Sequence, residues 1–513
     1  MSPSLAAHAP DPGAQSPEDG EPRLERGQIV LLALTVLIAR MVAARAFPIY
    51  DDAFITYRYA RNFAHGLGLV YNPGAAWEPI LGTTTPGYAV ILAGLNALGL
   101  PILTTSLALN FLCDAFSAVL LIHLLDRKAV SSLFAVLAFA SIPEIARISA
   151  GGMEPPLVVL CCLASVLFFH QGRLFAAGTA SAIACTVRPE CPLLVVTLAV
   201  LVIARRQSLV RFLTPVVIIG AITMGLLTWY YGSFISQSIT AKIAVHGGEQ
   251  HAGFSRRPDI LAQAFGPSTA MRCLAAVVAL GALMMIRLRS RITPFAIFSM
   301  LIVAAYLVER PKTWGWYFYA PLTVWIVWLG LGFEQIARWI GFERLRSSRS
   351  VVRWSTAAGC VASVAAVACF PLIRADKVTP LVYEHFETWA KEARVEERQA
   401  TILASDIGAI GWYANTRILD SAGLVWPEAL EFPRQVDQIR KYLPDYAILV
   451  VRRSRLKPFR VDEPELAAKY EPIRRFNEFN KTGLDKLDPP ITELPDWWEQ
   501  DYILYERVTP AEK

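Results

Sequence analysis

Charge is scarce in this 513-residue chain: Asp, Glu, Lys and Arg make up 18% of it, against 54% apolar residues. A soluble enzyme usually carries about a quarter charged residues, so the composition argues against one. Histidine is thin as well. Its seven copies (His8, His65, His123, His170, His246, His251 and His385) are dispersed, which speaks against a histidine metal cluster. No GxxxxGK[ST] loop, strand-borne GxGxxG, HExxH or CxxC pair occurs, so ATP-driven pumping lacks its phosphate cradle. Cysteine is absent beyond Cys369, and the eight copies present lie in or beside apolar runs, where they read as small buried hydrophobes. A cysteine-free tail cannot report its compartment through disulfides.

What is abundant is apolar sequence, with a mean hydropathy of +0.40. Residues 374–513 hold 46 charged side chains, and the preceding 373 residues hold only another 46. A charge-poor membrane body is therefore followed by a soluble domain. Residues 1–27, with five prolines and seven charges, read as a disordered cytoplasmic tail. They lack the basic and apolar regions of a secretory signal, so the first apolar run reads as a retained membrane helix.

A spanning helix needs roughly 20 apolar residues, or somewhat fewer with snorkelling ends. Eleven runs qualify: 28–47, 103–124, 129–147, 155–170, 174–187, 192–204, 211–230, 271–287, 292–308, 317–336 and 354–373. With the N-terminus inside, every inner loop is basic, from Arg127 and Lys128 through Arg173, Arg205, Arg287 and Arg289 to Arg346 and Arg353. The outer loops hold Asp51, Asp52, Glu78, Glu154, Glu190 and Glu309. Treating 86–100 as a span would invert that pattern, so it reads as a helix on the outer interface within a long first loop, 48–102. The odd number of spans puts residues 374–513 outside, as a small α/β domain with strands at 401–404, 417–419 and 446–451. Charged residues cluster at loops rather than mid-span.

The first outer loop opens with Asp51 and Asp52. Adjacent carboxylates at a membrane surface are costly to desolvate and want a cation, a proton or a reacting hydroxyl nearby. One of them reads as a general base, with an N-cap role for Asp52 as the competing reading. A helix over 53–65 would align Phe54, Tyr57 and Arg61 on one face. Thr84 and its neighbours before Pro86 would cap a helix or line a polar site. Glu154, Arg188 and Glu190 share the outer side, where the arginine pair reads equally well as structural. Trp316 and Tyr317 fit an interfacial belt, while Arg58, Lys242 and Lys312 are the cations available for a lipid phosphate.

These segments resemble bacterial GT-C glycosyltransferases that use polyprenyl-phosphate sugar donors. The resemblance rests on DDAFITYRYARNFAHGLGLVYNPG, LGTTTPGY, GGMEPP, RPE, WYYGS with Lys242, WGWYFYAP and SDIGAIGWYANTRILDSAGL, in family order across about 50–424. The pattern is closest to actinobacterial terminal arabinofuranosyltransferases, with protein mannosyltransferases sharing only the general layout. It implies a GT-C-type α-helical polytopic membrane protein of about eleven transmembrane helices in the bacterial inner membrane. Its first outer loop would bear interfacial helices, and its C-terminal α/β domain would be extracytoplasmic. Asp51 or Asp52 would be the catalytic base and Glu154 the second acid, orienting the acceptor or binding a metal. Arg58, Glu78, Thr84, Arg188, Glu190, Lys242, Lys312, Trp316 and Tyr317 would bind substrate. No cofactor is required, and nucleic acid is not a partner. The partners would be membrane lipid, a polyprenyl-phosphate sugar and an envelope glycan, lipid or protein acceptor. A transporter or flippase of lipid-linked sugars and a non-catalytic membrane sensor are the alternatives from other classes. No internal repeat supports the transporter.

Overall fold

An apolar run in lipid must satisfy its own backbone N–H and C=O groups, which leaves helix as its structure. The computed structural model describes residues 23–74, 79–250, 256–265, 269–309, 311, 313–341, 349–369, 381–432, 434–452, 464–477 and 500–508. In chain order come α1 (Arg26–Ala43), α2 (Asp51–Ala64), α3 (Pro86–Ala97), α4 (Ile102–Leu124), α5 (Ala129–Ser141) and α6 (Pro143–Ala150). Next are α7 (Pro155–His170), α8 (Leu174–Val187), α9 (Pro192–Ala204), α10 (Leu209–Tyr231), α11 (Gln237–Gln250), α12 (Arg256–Phe265) and α13 (Thr269–Cys273). The body ends with α14 (Ala275–Arg287), α15 (Thr293–Glu309), a 3-10 turn (Gly315–Phe318), α16 (Tyr319–Trp339) and α17 (Arg349–Ala368).

Among the described residues, five stretches are long and apolar enough to cross a membrane: Arg26–Ala43, Ile102–Leu124, Leu209–Tyr231, Gly315–Trp339 and Ser350–Ala368. The run expected at 129–147 is a broken span instead, α5 and α6 being bent by 57°. The runs expected at 155–170, 174–187, 192–204, 271–287 and 292–308 contain α7, α8, α9, α14 and α15, which are only 13 to 17 residues long. The twelve residues of α3 rise about 18 Å, too little to cross a hydrocarbon core. Of the expected tail, residues 1–22 lie outside the described residues. Leu24 is fully buried, and its N–H donates to the Arg127 carbonyl.

The break between α5 and α6 has a local cause. Pro143 has no N–H, so the Phe139 carbonyl loses its helical donor. Arg40 supplies replacements from α1, its Nη2 donating to the Phe139 carbonyl at 2.7 Å and its Nη1 to that of Ala140 at 3.1 Å. Its Nε donates to Asp114 of α4 at 2.6 Å, and the Tyr319 hydroxyl donates to the other Asp114 oxygen at 2.6 Å. Both charged side chains are wholly buried. Charge therefore does occur mid-span, contrary to the reading from the loops: a guanidinium can be tolerated there when carbonyls and a carboxylate replace its water. Asp114 belongs to a polar seam down α4. Above it, Asn110 donates to the carbonyls of Ser149 (3.2 Å) and Met153 (2.7 Å), and Ser106 meets the Tyr57 hydroxyl at 2.5 Å.

The C-terminal region contains α18 (Leu381–Glu392), β1 (Thr401–Ala404), α19 (Ile407–Ala414), β2 (Arg417–Asp420), a 3-10 turn (Pro427–Glu431), α20 (Gln435–Tyr442), β3 (Tyr446–Arg452), α21 (Pro464–Ala467), β4 (Tyr470–Asn477) and β5 (Gln500–Arg507). The sheet order is β2-β1-β3-β5-β4. β1 pairs in parallel with β2 and β3, with Leu403 opposite both Leu419 and Ala447. β5 runs antiparallel to β3 and β4. The three expected strands are present, and β4 and β5 are additions. The α19 helix crosses between the parallel strands β1 and β2, which puts its N-terminus at the carboxyl end of β1.

Asp114→Leu leaves Arg40 buried without its counter-charge and is expected to destabilise the protein by about 3–5 kcal/mol, read from thermal unfolding in detergent. The double variant Arg40→Met/Asp114→Leu should lose markedly less, since no lone buried charge remains.

Candidate active site

The first-loop helix begins two residues earlier than its pattern suggests. Tyr50 is the N-cap of α2, and Asp51 and Asp52 form its first turn. An N-cap role for Asp52 is thereby ruled out. Acids at this position favour the positive end of the helix dipole, but neither carboxylate bonds within α2.

Asp51 looks outward to the C-terminal domain. Its Oδ2 accepts the Gly408 N–H at 3.0 Å and its Oδ1 the Ala409 N–H at 2.8 Å. Those are the second and third residues of α19, whose N–H groups have no partner inside the helix. At the other end, Arg58 Nη1 donates to the Gly411 carbonyl at 2.7 Å and Nη2 to that of Thr416 at 2.5 Å. Arg61 donates to the Trp412 carbonyl (3.1 Å) and to Asn415 (2.6 Å), with its guanidinium 4.3 Å from the Trp412 ring. Phe54 and Tyr57 meet the same indole at 6.2 and 6.1 Å, so the face expected from Phe54, Tyr57 and Arg61 is the docking face. Tyr71 donates to the Ile407 carbonyl at 2.6 Å, and Asn72 pairs with the backbone of Ile418. A side chain on Gly408 would begin 1.8 Å from the Asp51 carbonyl oxygen, and one on Gly411 would strike the Tyr71 hydroxyl. Both glycines are needed for this approach. The expectation that Arg58 meets a donor phosphate is corrected here, because its guanidinium is buried under the tail domain and bonded to that domain's carbonyls.

Asp52 keeps different company. Burial pushes its carboxyl above the ordinary carboxylate range; Lys242 opposes that shift and Asp406 adds to it. Asp51 is pushed up to about 7, chiefly by burial and then by Asp406, with the two backbone N–H groups pulling the other way. Lys242, on α11, donates to the Tyr317 hydroxyl at 3.2 Å and lies 5.1 Å from the Trp314 ring. Trp316 stacks near Trp314 at 5.8 Å and meets the Tyr50 ring at 4.8 Å.

On the far side of Tyr317 lies a second charged group. Arg188 sits 5.0 Å from that ring, donates to Glu154 at 2.6 Å, and grips Glu190 through Nε (3.0 Å) and Nη2 (2.6 Å). Tyr306 also donates to Glu190 at 2.6 Å. Glu154 is 1% exposed and precedes α7, held against α4 through the turn stapled by Asn110. A cavity of about 30 Å³ beside this triad is lined by Arg188, Glu190, Trp316 and Tyr317 over an apolar floor. No group of three or more metal-ligating side chains occurs among the described residues.

Thr84 is half-buried between Thr83 and Thr85, whose hydroxyls form a triangle with Thr56 at 3.1 to 3.3 Å instead of capping α3. Glu78 and Lys312 lie outside the described residues. Two residues beside Trp316 escaped the sequence reading. Arg147 ends on Gly315, with Nη2 3.3 Å from where a side chain there would begin, and it lowers the proton affinity of Tyr50 against the effect of burial. The Tyr50 hydroxyl is buried with no hydrogen-bond partner. An arginine five residues past the Ile142–Pro143 break was the available signal, concealed by reading 129–147 as one span.

Gly408→Val is expected to lift α19 off α2. Hydrogen exchange of the 407–414 amides should accelerate by at least about tenfold while α4 and α16 exchange as before.

A family model described as a domain of unknown function, DUF8728, matches residues 380–502, within the C-terminal region. No curated protein matches the chain. Among solved structures, the chain is similar to ArnT from Cupriavidus metallidurans in the apo state, with a TM-score of 0.58 at 12% identity over 93% of this chain and 98% of that one. It is equally similar to ArnT from the same organism bound to undecaprenyl phosphate, with a TM-score of 0.57 at 12% identity over 94% and 98%. At that identity the likeness is one of architecture: membrane helices and C-terminal domain together share the ArnT fold.

Proposed function

We propose that this protein is an inverting membrane glycosyltransferase of GT-C type, moving one sugar from a polyprenyl-phosphate donor to an envelope acceptor at the outer face of the inner membrane. In this reading the helices make eleven spans, the short ones tilted or snorkelling, with the N-terminus in the cytoplasm and residues 374–513 outside. The sequence resemblance favours an arabinofuranosyl donor, with mannosyl second. The fold likeness to ArnT supports the reading, since one of those structures holds undecaprenyl phosphate.

The observation that carries the mechanism is the division between the two first-loop aspartates. Burial raises the proton affinity of both, but both Asp51 oxygens accept backbone N–H groups, whereas Asp52 is the one on which the Lys242 charge acts. Asp52 is therefore assigned as general base. It takes the proton of the acceptor hydroxyl as that oxygen attacks the anomeric carbon, and the bond from that carbon to the phosphate oxygen breaks. Departing polyprenyl phosphate gathers negative charge, which Lys242 and Arg147 would hold, with the hydroxyls of Tyr50 and Tyr317 as donors. A phosphodiester donor is already activated, so no nucleotide is needed. Glu154, fixed by Arg188, would orient the acceptor.

With purified protein, a polyprenyl-phosphate sugar and membrane-extracted acceptor, Asp52→Asn is expected to lower the transfer rate by about 10²–10⁴-fold. Lys242→Gln should weaken donor use and shift the acid limb of kcat/KM to higher pH, because the lysine is what opposes protonation of Asp52. Mass spectrometry of lipid retained by Asp52→Asn would name the sugar. Full activity in Asp52→Asn, or retention of bulk phospholipid alone after the donor is supplied, would favour the transporter and sensor readings.

A further inference from the structure

Asp406 is the N-cap residue of α19, and aspartate there ordinarily bonds the N–H groups two and three residues on. Its carboxylate makes no such bond. The two N–H groups it would take, Gly408 and Ala409, are taken instead by Asp51, 357 residues earlier in the chain. Freed from capping, Asp406 turns its Oδ2 to the Tyr502 hydroxyl on β5, at 2.7 Å. The seat of α19 is tight, because the Asp51 backbone occupies the space a Gly408 side chain would need. Asp406 is thus carried by a clamped helix end to the first turn of α2, where Asp52 lies.

We propose that the C-terminal domain is a working part of the site, and that Asp406 is a positioning residue acting through Asp52. The proposal rests on the transferase reading above. Two charges of opposite sign then act on Asp52: Lys242 from α11, and Asp406 from the β1–α19 turn that Asp51, its chain neighbour, holds against the start of α2. Lys242 favours the ionised carboxylate, and Asp406 favours the protonated one. A base must take a proton in one half of the reaction and lose it afterwards. The membrane domain supplies the cation that keeps Asp52 ready, and the tail domain supplies a charge that adds to burial in making it more basic. Tyr502 holds the Asp406 carboxylate in place. Undocking the tail would remove Asp406 together with the α2–α19 bonds and leave Lys242, turning Asp52 into a weaker base.

The test reads Asp52 without relying on turnover. A hydrophobic carbodiimide modifies protonated carboxyl groups, and fragmentation by mass spectrometry locates the adduct on Asp52 rather than Asp51. In full-length protein in nanodiscs, Asp406→Asn should move the labelling midpoint of Asp52 to lower pH by roughly one unit. Asp406→Glu should return it most of the way, and Lys242→Gln should move it upward. The acid limb of kcat/KM should follow the same order. Hydrogen exchange at 408–409 reports whether α19 remains seated. An unchanged midpoint with α19 seated overturns the proposal. So does loss of the seat in Asp406→Asn, which would make the residue a structural cap. Absence of any transfer by wild type, with the labelling shifts present, would instead remove the transferase reading and leave the electrostatic coupling standing.

Discussion

The contact on which the site depends is a helix dipole held at both ends by a single facing helix. The eight-residue α19 presents unsatisfied N–H groups at one end and carbonyls at the other. On α2, Asp51 meets the first set, and Arg58 and Arg61 meet the second. Each such charge contributes about 0.3–2 kcal/mol, more where water is excluded. Order matters more than magnitude here. Reversing α19 would set Asp51 against carbonyls and the arginines against N–H groups, so one arrangement of the two domains is selected.

A comparable solution serves the membrane interior. Breaking a span at Pro143 leaves carbonyls without donors in a medium that offers no water. Arg40 meets that need at the cost of bringing a charge into the core, and Asp114 with Tyr319 balances the charge in turn. The broken span has a use: the short α6 that follows it carries Arg147 toward the Gly315 turn and leads into the stapled loop before Glu154. A straight helix over the same residues would continue past that level instead of turning beneath it.

The sequence showed the apolar runs, the acidic first loop and the segments that assemble, because period and charge survive without tertiary information. It could not show which side chain a carboxylate or guanidinium meets. Asp51 and Asp52 are equivalent as letters, and only the position of α19 separates them. Arg58 read as a phosphate ligand because an arginine beside a membrane invites an anion; two carbonyls from the tail domain took its place. The strands β4 and β5 were invisible since YEPIRRFN and QDYILYER alternate too weakly to reveal a half-buried strand, and their pairing spans a long sequence interval. The short helices α7, α8 and α9 kept their apolar signature but not the length of a straight span.

The separation between Asp51 and Gly408 has a consequence for biogenesis. At roughly 5–20 residues per second, a ribosome needs about 20–70 s to reach the second partner after making the first. Throughout that interval α2 carries one carboxylate and two guanidinium groups with no protein to meet them, and water must serve instead. The interdomain clasp can therefore form only after every membrane helix has been made. A nascent chain that stops between residues 369 and 407 retains its membrane helices yet displays an unmatched row of charges, a chemical mark by which an unfinished copy differs from a finished one.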